Sequence, residues 1–539
     1  MKIRWTGALI SFVLASASIA AQDSGVPDGR RWWSHVAVLA DDKLEGRETG
    51  SAGHRKAAEY VADEFRRAGL EPAGPDGYLL PVKLKSRRID EAHCRLALGR
   101  EAGDETLTLG RDAIISLRVD PAPSVESDLV FAGHGLTIPE AGHDDFAGLD
   151  VRGKVVVYLT GAPPSIAGPL AAHMQSAGER GALLRRLGAV GTVSILNPKT
   201  NDIPWDRLAA LRTLPAMALA DPAMDETRGQ RIAVVVNPAH ADKLLAGSDH
   251  TIRELLEAAD AGRPLPHFAI PARLKATVAV ERADLESQNV AAVLPGSDPA
   301  LRGEFVAFSA HLDHLGIGTP IGGDSIYNGA MDNASGVATM LDVAAMLKES
   351  GTKLRRPVLF VAVTGEEKGL LGSRHFALAP SVAPGRVVAD INVDMFLPLF
   401  PMTMLTVYGL DESDLGDDAT AVAKSLGVEV QRDLEPKRNL FIRSDQYSFI
   451  RRGIPSLALK VGFAPGSPEE RTTKAWLTGR YHAPSDDLNQ PVDKSAAGRF
   501  DALVAKLLER VANRDARPRW KETSFFKRFA QSEAGGDKR

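Results

Sequence analysis

Cysteine is almost absent, with Cys94 the single one in 539 residues. An internal disulfide is therefore excluded, and so is a thiolate-rich metal site. His, Asp and Glu are left as the ligands for any transition metal. Net charge is scarce as well, −4 over the whole chain, and no block of Lys or Arg stands out in its body. The electrostatic footprint of a nucleic-acid binder is missing. Long apolar runs are missing too. The run from Ala8 to Val13, behind Lys2 and Arg4, falls well short of the roughly 20 residues that span a bilayer, and no later segment reaches that length. Internal repeats are also absent.

The chain does have ordinary globular composition, 44% apolar and 25% charged residues, over a length that exceeds one typical core. Its first stretch combines a basic start, a short apolar segment and the small residues Ala15 to Ala21 before Gln22. That is the pattern of a secretory signal peptide over residues 1–21, cleaved after Ala20 or Ala21. The expectation is an exported protein, periplasmic or secreted, with no membrane attachment after cleavage. Nothing in the sequence specifies an oligomeric state.

Three textures follow the leader. Residues 22–126 carry a short helix from Arg30 to Ala40, a stronger one from His54 to Ala68 closed by Gly69, and a strand from Leu79 to Leu84. Residues 127–285 break into short β-rich runs split by Gly and Pro, without a cluster of metal ligands. They read as a smaller β-rich domain inserted into a larger one. From 286 to 516 apolar strands alternate with amphipathic helices: strands at 305–308, 357–363, 387–393 and 455–459, and helices at 334–348 and 502–511. This alternation predicts an α/β fold, a mostly parallel mixed sheet flanked by helices. A polar tail, 517–539, carries Trp520, Phe525 and Phe526 as docking residues.

In open α/β sheets, ligands bind beyond the carboxyl ends of the strands. The unusual residues of this chain fall there. The first strand runs into His311-Leu312-Asp313-His314, the second into Glu366-Glu367, and the third into Asp394. Between the first two lies a loop, Asn328 to Gly336, that carries Asp332 and opens a helix. In an extended segment positions i and i+2 share a side, so Asp313 can orient His311 through one ring nitrogen while the other meets a metal. A buried His satisfied by its neighbour accounts for the same pair. Asp332 and Asp394 equally suit helix N-caps. Glu366-Glu367 reads either as a solvated loop or as one carboxylate on a cation beside a second that is free to take a proton. His482, in Tyr481-His482-Ala483-Pro484-Ser485-Asp486, has carboxylates nearby, and His314 reads as a supporting residue. Counted together, two imidazoles and three carboxylates suffice for two zinc ions if one carboxylate is shared.

These motifs, in this order, resemble the co-catalytic zinc aminopeptidases of clan MH. The family includes bacterial leucyl aminopeptidases and, more distantly, glutamate carboxypeptidase and the transferrin receptor. The resemblance covers Gln288 to about Asn513 closely and Ser34 to Val82 loosely. Val130-Phe131-Ala132-Gly133-His134-Gly135, Asp144-Asp145-Phe146 and Asp150 to Val156 make the insert similar to a protease-associated domain. The resemblance implies that His311 and Asp394 hold one zinc, that Glu367 and His482 hold the other, and that Asp332 bridges them. It also implies Glu366 as general base, Asp313 as the orienter of His311, a cis peptide after Asp332, and peptides cut at their N-terminus as substrates. A carboxypeptidase of the same clan, a glutaminyl cyclase-like transferase with one zinc, and a non-catalytic receptor-like protein are the alternatives.

Overall fold

The computed structural model describes residues 28–201, 203–381 and 386–530. Residues 1–21, expected above to be a signal peptide, and the last residues of the tail lie outside them. Two large sheets organise the chain. The first has ten strands. Its centre is parallel: strand Glu304–His311 lies between Val358–Val363 and Arg386–Asn392, and Ser456–Gly462 follows. Its flanks are antiparallel, with Val280–Leu294 and Leu79–Ile89 on one side and Met404–Tyr408 on the other.

The central strands are apolar without alternation because both faces are covered. All six residues of Val358–Val363 are buried. Phe360 and Ala362 point to the layer formed by helices Arg30–Leu39, Ala52–Arg67, Ser335–Glu349 and Lys494–Ala512. Leu359, Val361 and Val363 point the other way, to Phe376 and Phe449. Helix Ala52–Arg67 shows why local and tertiary signals agree there. The Ser51 hydroxyl accepts from His54 N–H at 3.1 Å, Ala57, Ala58, Val61, Ala62 and Phe65 form its buried stripe, and Gly69 ends it with φ of 73°. The last long helix begins at Lys494, earlier than its apolar pattern predicts. Asp493 caps it through Ala496 N–H at 2.9 Å, and its first turn is built from small residues that leave little periodic signal.

The second sheet has eight strands with a core of its own. It starts at Arg95, upstream of the texture change at residue 127. The early strands Arg95–Arg100 and Gly103–Thr106 lie at its edge, where exposed charged residues such as Arg95, Glu101 and Asp104 mask a strand pattern. One strand from this region, Ala216–Leu219, pairs with Leu79–Ile89 of the first sheet and stitches the two together. The tail forms a further tie. Trp520 and Phe526 are buried beside Phe441, Ile442 and Tyr447, Phe525 packs on Leu136 and Leu170 of the second unit, and Arg528 pairs with Glu140 at 2.8 Å. No helix among the described residues is long and apolar enough to cross a membrane.

Candidate metal centre

Parallel central strands bring their carboxyl ends to one edge, and the side chains singled out above meet there. His311, the last residue of its strand, is 1% exposed. Its Nδ1 hydrogen-bonds the backbone carbonyl of Asp313 at 3.1 Å. Donation from Nδ1–H leaves Nε2 as the free lone pair. That Nε2 lies 3.2 Å from Asp332 Oδ1 and 3.4 Å from Asp394 Oδ1. The orienting contact differs from the sequence expectation. The Asp313 carboxylate stands 4.0 Å from His311 Nδ1 and instead accepts from the Thr49 hydroxyl at 2.8 Å and from Glu366 N–H at 3.1 Å. Asp313 thus holds the Glu366 loop, while its own backbone carbonyl orients the imidazole.

Asp332 sits in an irregular turn over Ala330–Ala334 that precedes the helix, and its peptide bond to Asn333 is cis. Its second oxygen, Oδ2, lies 3.3 Å from His482 Nε2. His482 Nε2 is also 3.2 Å from Glu367 Oε2. One carboxylate therefore offers an oxygen to each of two imidazoles, with Asp394 beside the first and Glu367 beside the second. His314 completes the second group: its Nδ1 is 2.8 Å from Glu367 Oε1 and 3.8 Å from Asp332 Oδ2. Ligand atoms of His311, Asp332 and Asp394, and again of His314, Asp332 and Glu367, cluster within 4.8 Å of one another. Two imidazoles thus compete for the second position. His314 bonds Glu367 directly, which suits a clamp, whereas His482 faces both carboxylates at similar distances.

The donor set fits a pair of cations. Asp394 Oδ1 is buried without a hydrogen-bond partner. Burial alone would lower both imidazole pKa values, yet Asp394 and Asp332 raise His311 well above its ordinary value, and Glu367 and Asp332 push His482 up to about 10. A cage acidic enough to force protons onto buried imidazoles attracts metal cations by the same field. Glu366 differs. It makes none of these close contacts, and burial, with the Glu367 charge adding to it, pushes its carboxyl well above the usual range against the pull of His311.

Several supporting residues give no sequence signal of their role. Asp486 lies near His482 in the chain but serves Asp332: its carboxylate accepts from Met331 N–H at 2.9 Å and Asp332 N–H at 3.0 Å. The Asn333 side chain accepts from Gly336 N–H and donates to the Val393 carbonyl, tying the Asp332 turn to the strand that precedes Asp394. Arg47 comes from the N-terminal region. It is 1% exposed and donates to the carbonyls of Leu39, Leu312, Asn328 and Gly329. Leu312 adjoins His311, and Asn328 and Gly329 open the Asp332 loop, so one guanidinium holds both and ties them to the end of helix Arg30–Leu39. Arg47→Ala is expected to destabilise the protein by about 3–5 kcal/mol, because four buried carbonyls lose their donor. Urea unfolding with an unchanged midpoint would contradict this.

The centre opens into a cleft of about 940 Å³, walled by Glu366, Glu367, Tyr481 and His482 on one side and by the second unit, including Ile114 to Arg118, on the other. Arg207 of that unit donates to the Thr478 carbonyl at 2.6 Å and to the Tyr481 carbonyl, which fixes the loop bearing His482.

Residues 289–508 match the model of peptidase family M28. A probable zinc metalloprotease of Pyrenophora tritici-repentis is 29% identical over 218 residues, 35% of this chain and 49% of its own length. Aminopeptidase YwaD of Bacillus subtilis is 26% identical over 195 residues, 35% of this chain and 39% of its own. The chain spans about half or less of the length of these curated relatives. A solved aminopeptidase from Aneurinibacillus sp. strain AM-1 shares the fold, with a TM-score of 0.55 and 19% identity over 92% of this chain and 95% of that one.

Proposed function

We propose, from the match of residues 289–508 to peptidase family M28, that this chain is an exported zinc aminopeptidase that removes N-terminal residues from peptides. One observation carries the reading. Asp332 offers Oδ1 to His311 and Oδ2 to His482, each imidazole has a further carboxylate beside it, and Glu366 and Glu367 line the cleft. In this reading His311 and Asp394 hold one zinc, Glu367 and His482 hold the second, and Asp332 is shared. Zinc bound there supplies Lewis-acid polarisation of a peptide carbonyl and of the attacking water.

The chain's own groups do the rest. Glu366, a carboxyl with raised proton affinity and no role as ligand, takes the proton of the attacking water as its oxygen bonds the carbonyl carbon. As the carbon–nitrogen bond breaks, Glu366 returns that proton to the leaving amine. Asp313 positions this base by accepting its backbone N–H. The second unit, read as a protease-associated-like insert, walls one side of the cleft.

Zinc-loaded protein is expected to cleave Leu-Gly-Gly and its C-terminal amide and to leave the N-acetylated peptide intact. The blocked amino terminus removes the group that aligns the first residue, so at least a hundredfold loss is expected. Cleavage that needs a free carboxyl terminus and tolerates the acetyl group would assign a carboxypeptidase instead. Ammonia release from N-terminal glutamine without peptide cleavage would assign a cyclase.

A further inference from the structure

The cleft is electrically lopsided. Its inner end holds Glu366 and Glu367, with Asp332 and Asp394 behind them. The cationic groups along its walls are mostly spoken for: Arg212 pairs with Glu91 at 2.8 Å, Arg374 and Arg451 share Glu226, and Lys368 pairs with Glu48 at 3.1 Å. Arg118 and Arg452 are different: both line the cleft, are exposed, and have no side-chain hydrogen-bond or ion-pair partner among the described residues. Of the two, Arg118 is the one contributed by the second unit. It also lies against the catalytic loop, since a Cβ built on Gly369 would stand 4.0 Å from its Nη1.

An exposed arginine without a partner is ordinarily just solvated. Two features set this one apart. Its base is fixed, because Leu117 and Val119 on either side are buried, Ser116 N–H donates to the Ala233 carbonyl at 2.8 Å, and Arg87 donates to the Leu117 carbonyl at 3.2 Å. Its guanidinium also lies beside the segment that carries Glu366 and Glu367, inside the cleft that both of these residues line. A fork-shaped cation held over a catalytic loop with no protein anion is built to receive a planar anion from outside.

We propose that Arg118 is a carboxylate-binding subsite contributed by the insert, and that the preferred substrates are short peptides bearing a carboxylate beyond the scissile bond. The inference rests on the peptidase reading above. The carboxylate is either the peptide's own C-terminus or an acidic side chain, and the two chemistries are identical to the guanidinium. A peptide that enters amino group first then has its positive end at the acidic floor and its negative end at Arg118.

The test compares kcat/KM for Leu-Gly-Gly against its C-terminal amide, and for Leu-Glu-amide against Leu-Gln-amide. In the wild type, at least one pair is expected to favour the acid by about tenfold, the size of one charge-assisted contact at a partly exposed site. The ratio is expected to fall toward one in Arg118→Ala, to be partly kept in Arg118→Lys, and to shrink in the wild type as salt is raised. The first pair responding identifies the C-terminus as the source, the second an acidic side chain. Calorimetric binding of the same four peptides to the Glu366→Gln protein gives a readout independent of turnover. Ratios near one in both pairs, or an acid preference that survives Arg118→Ala, would overturn the subsite while the peptidase reading stands. Acid-selective binding lost in Arg118→Ala, in a protein that cleaves no peptide at all, would leave the subsite standing and overturn the peptidase reading.

Discussion

Glu366→Gln is expected to retain two zinc ions per chain and to lose at least about a thousandfold in kcat. The expectation follows from how little the side chain does for structure. Its carboxylate makes no contact with His311, Asp332, Asp394 or His482 of the kind those residues make with one another. The loop is held by the backbone, through Glu366 N–H on Asp313 and through Gly369 and Leu370 N–H on the Glu366 carbonyl. The amide has the same shape and leaves those bonds intact. It cannot take a proton from water, so the only thing removed is the proposed base. Zinc content by elemental analysis and single-turnover kinetics on Leu-Gly-Gly check both halves. Full turnover would remove the base assignment, and loss of one zinc would make Glu366 a ligand.

What could be read from the sequence, and what could not, divides along a physical line. Strand ends were legible because a buried strand such as Val358–Val363 needs an unbroken apolar run, and a charged residue just past it stands out. The order of strands, and hence which ends lie side by side, comes from parallel pairing across large sequence gaps, for example Ser309 with Asn392. No local pattern encodes that. The supporting residues were illegible for the same reason. Arg47 looks like any surface arginine until the chain folds four carbonyls around it, and Asp486 sits four residues after His482 yet serves Asp332. Asp313 shows a subtler failure. Its i,i+2 spacing from His311 was informative, but the backbone carbonyl orients the ring and the carboxylate is free to hold the Glu366 loop. The choice between His314 and His482 beside Glu367 likewise depends on distances of 2.8 and 3.2 Å, which no motif states.

Asp332→Asn is the sharper test of a shared carboxylate. An aspartate presents two equivalent oxygens, and here Oδ1 faces His311 and Oδ2 faces His482. An asparagine has the same outline but only one oxygen, and its NH₂ carries partial positive charge and no lone pair for a cation. Whichever way the amide turns, one of the two positions loses a ligand and gains a repelling donor. The variant is expected to hold at most one zinc per chain at metal concentrations that saturate the wild type. Its kcat/KM is expected to fall by about a thousandfold or more, as several kcal/mol of charge stabilisation disappear. The fold should survive, because Asp486 grips this turn through the backbone N–H groups of Met331 and Asp332 and touches no atom that changes. His482→Ala provides the contrast, since it removes one imidazole from the second position and leaves His311, Asp332 and Asp394 with all their own ligand atoms. If Asp332→Asn bound two zinc ions with wild-type affinity, the two positions would not share this carboxylate, and the reading of the centre as a coupled pair would fail even with every other ligand in place.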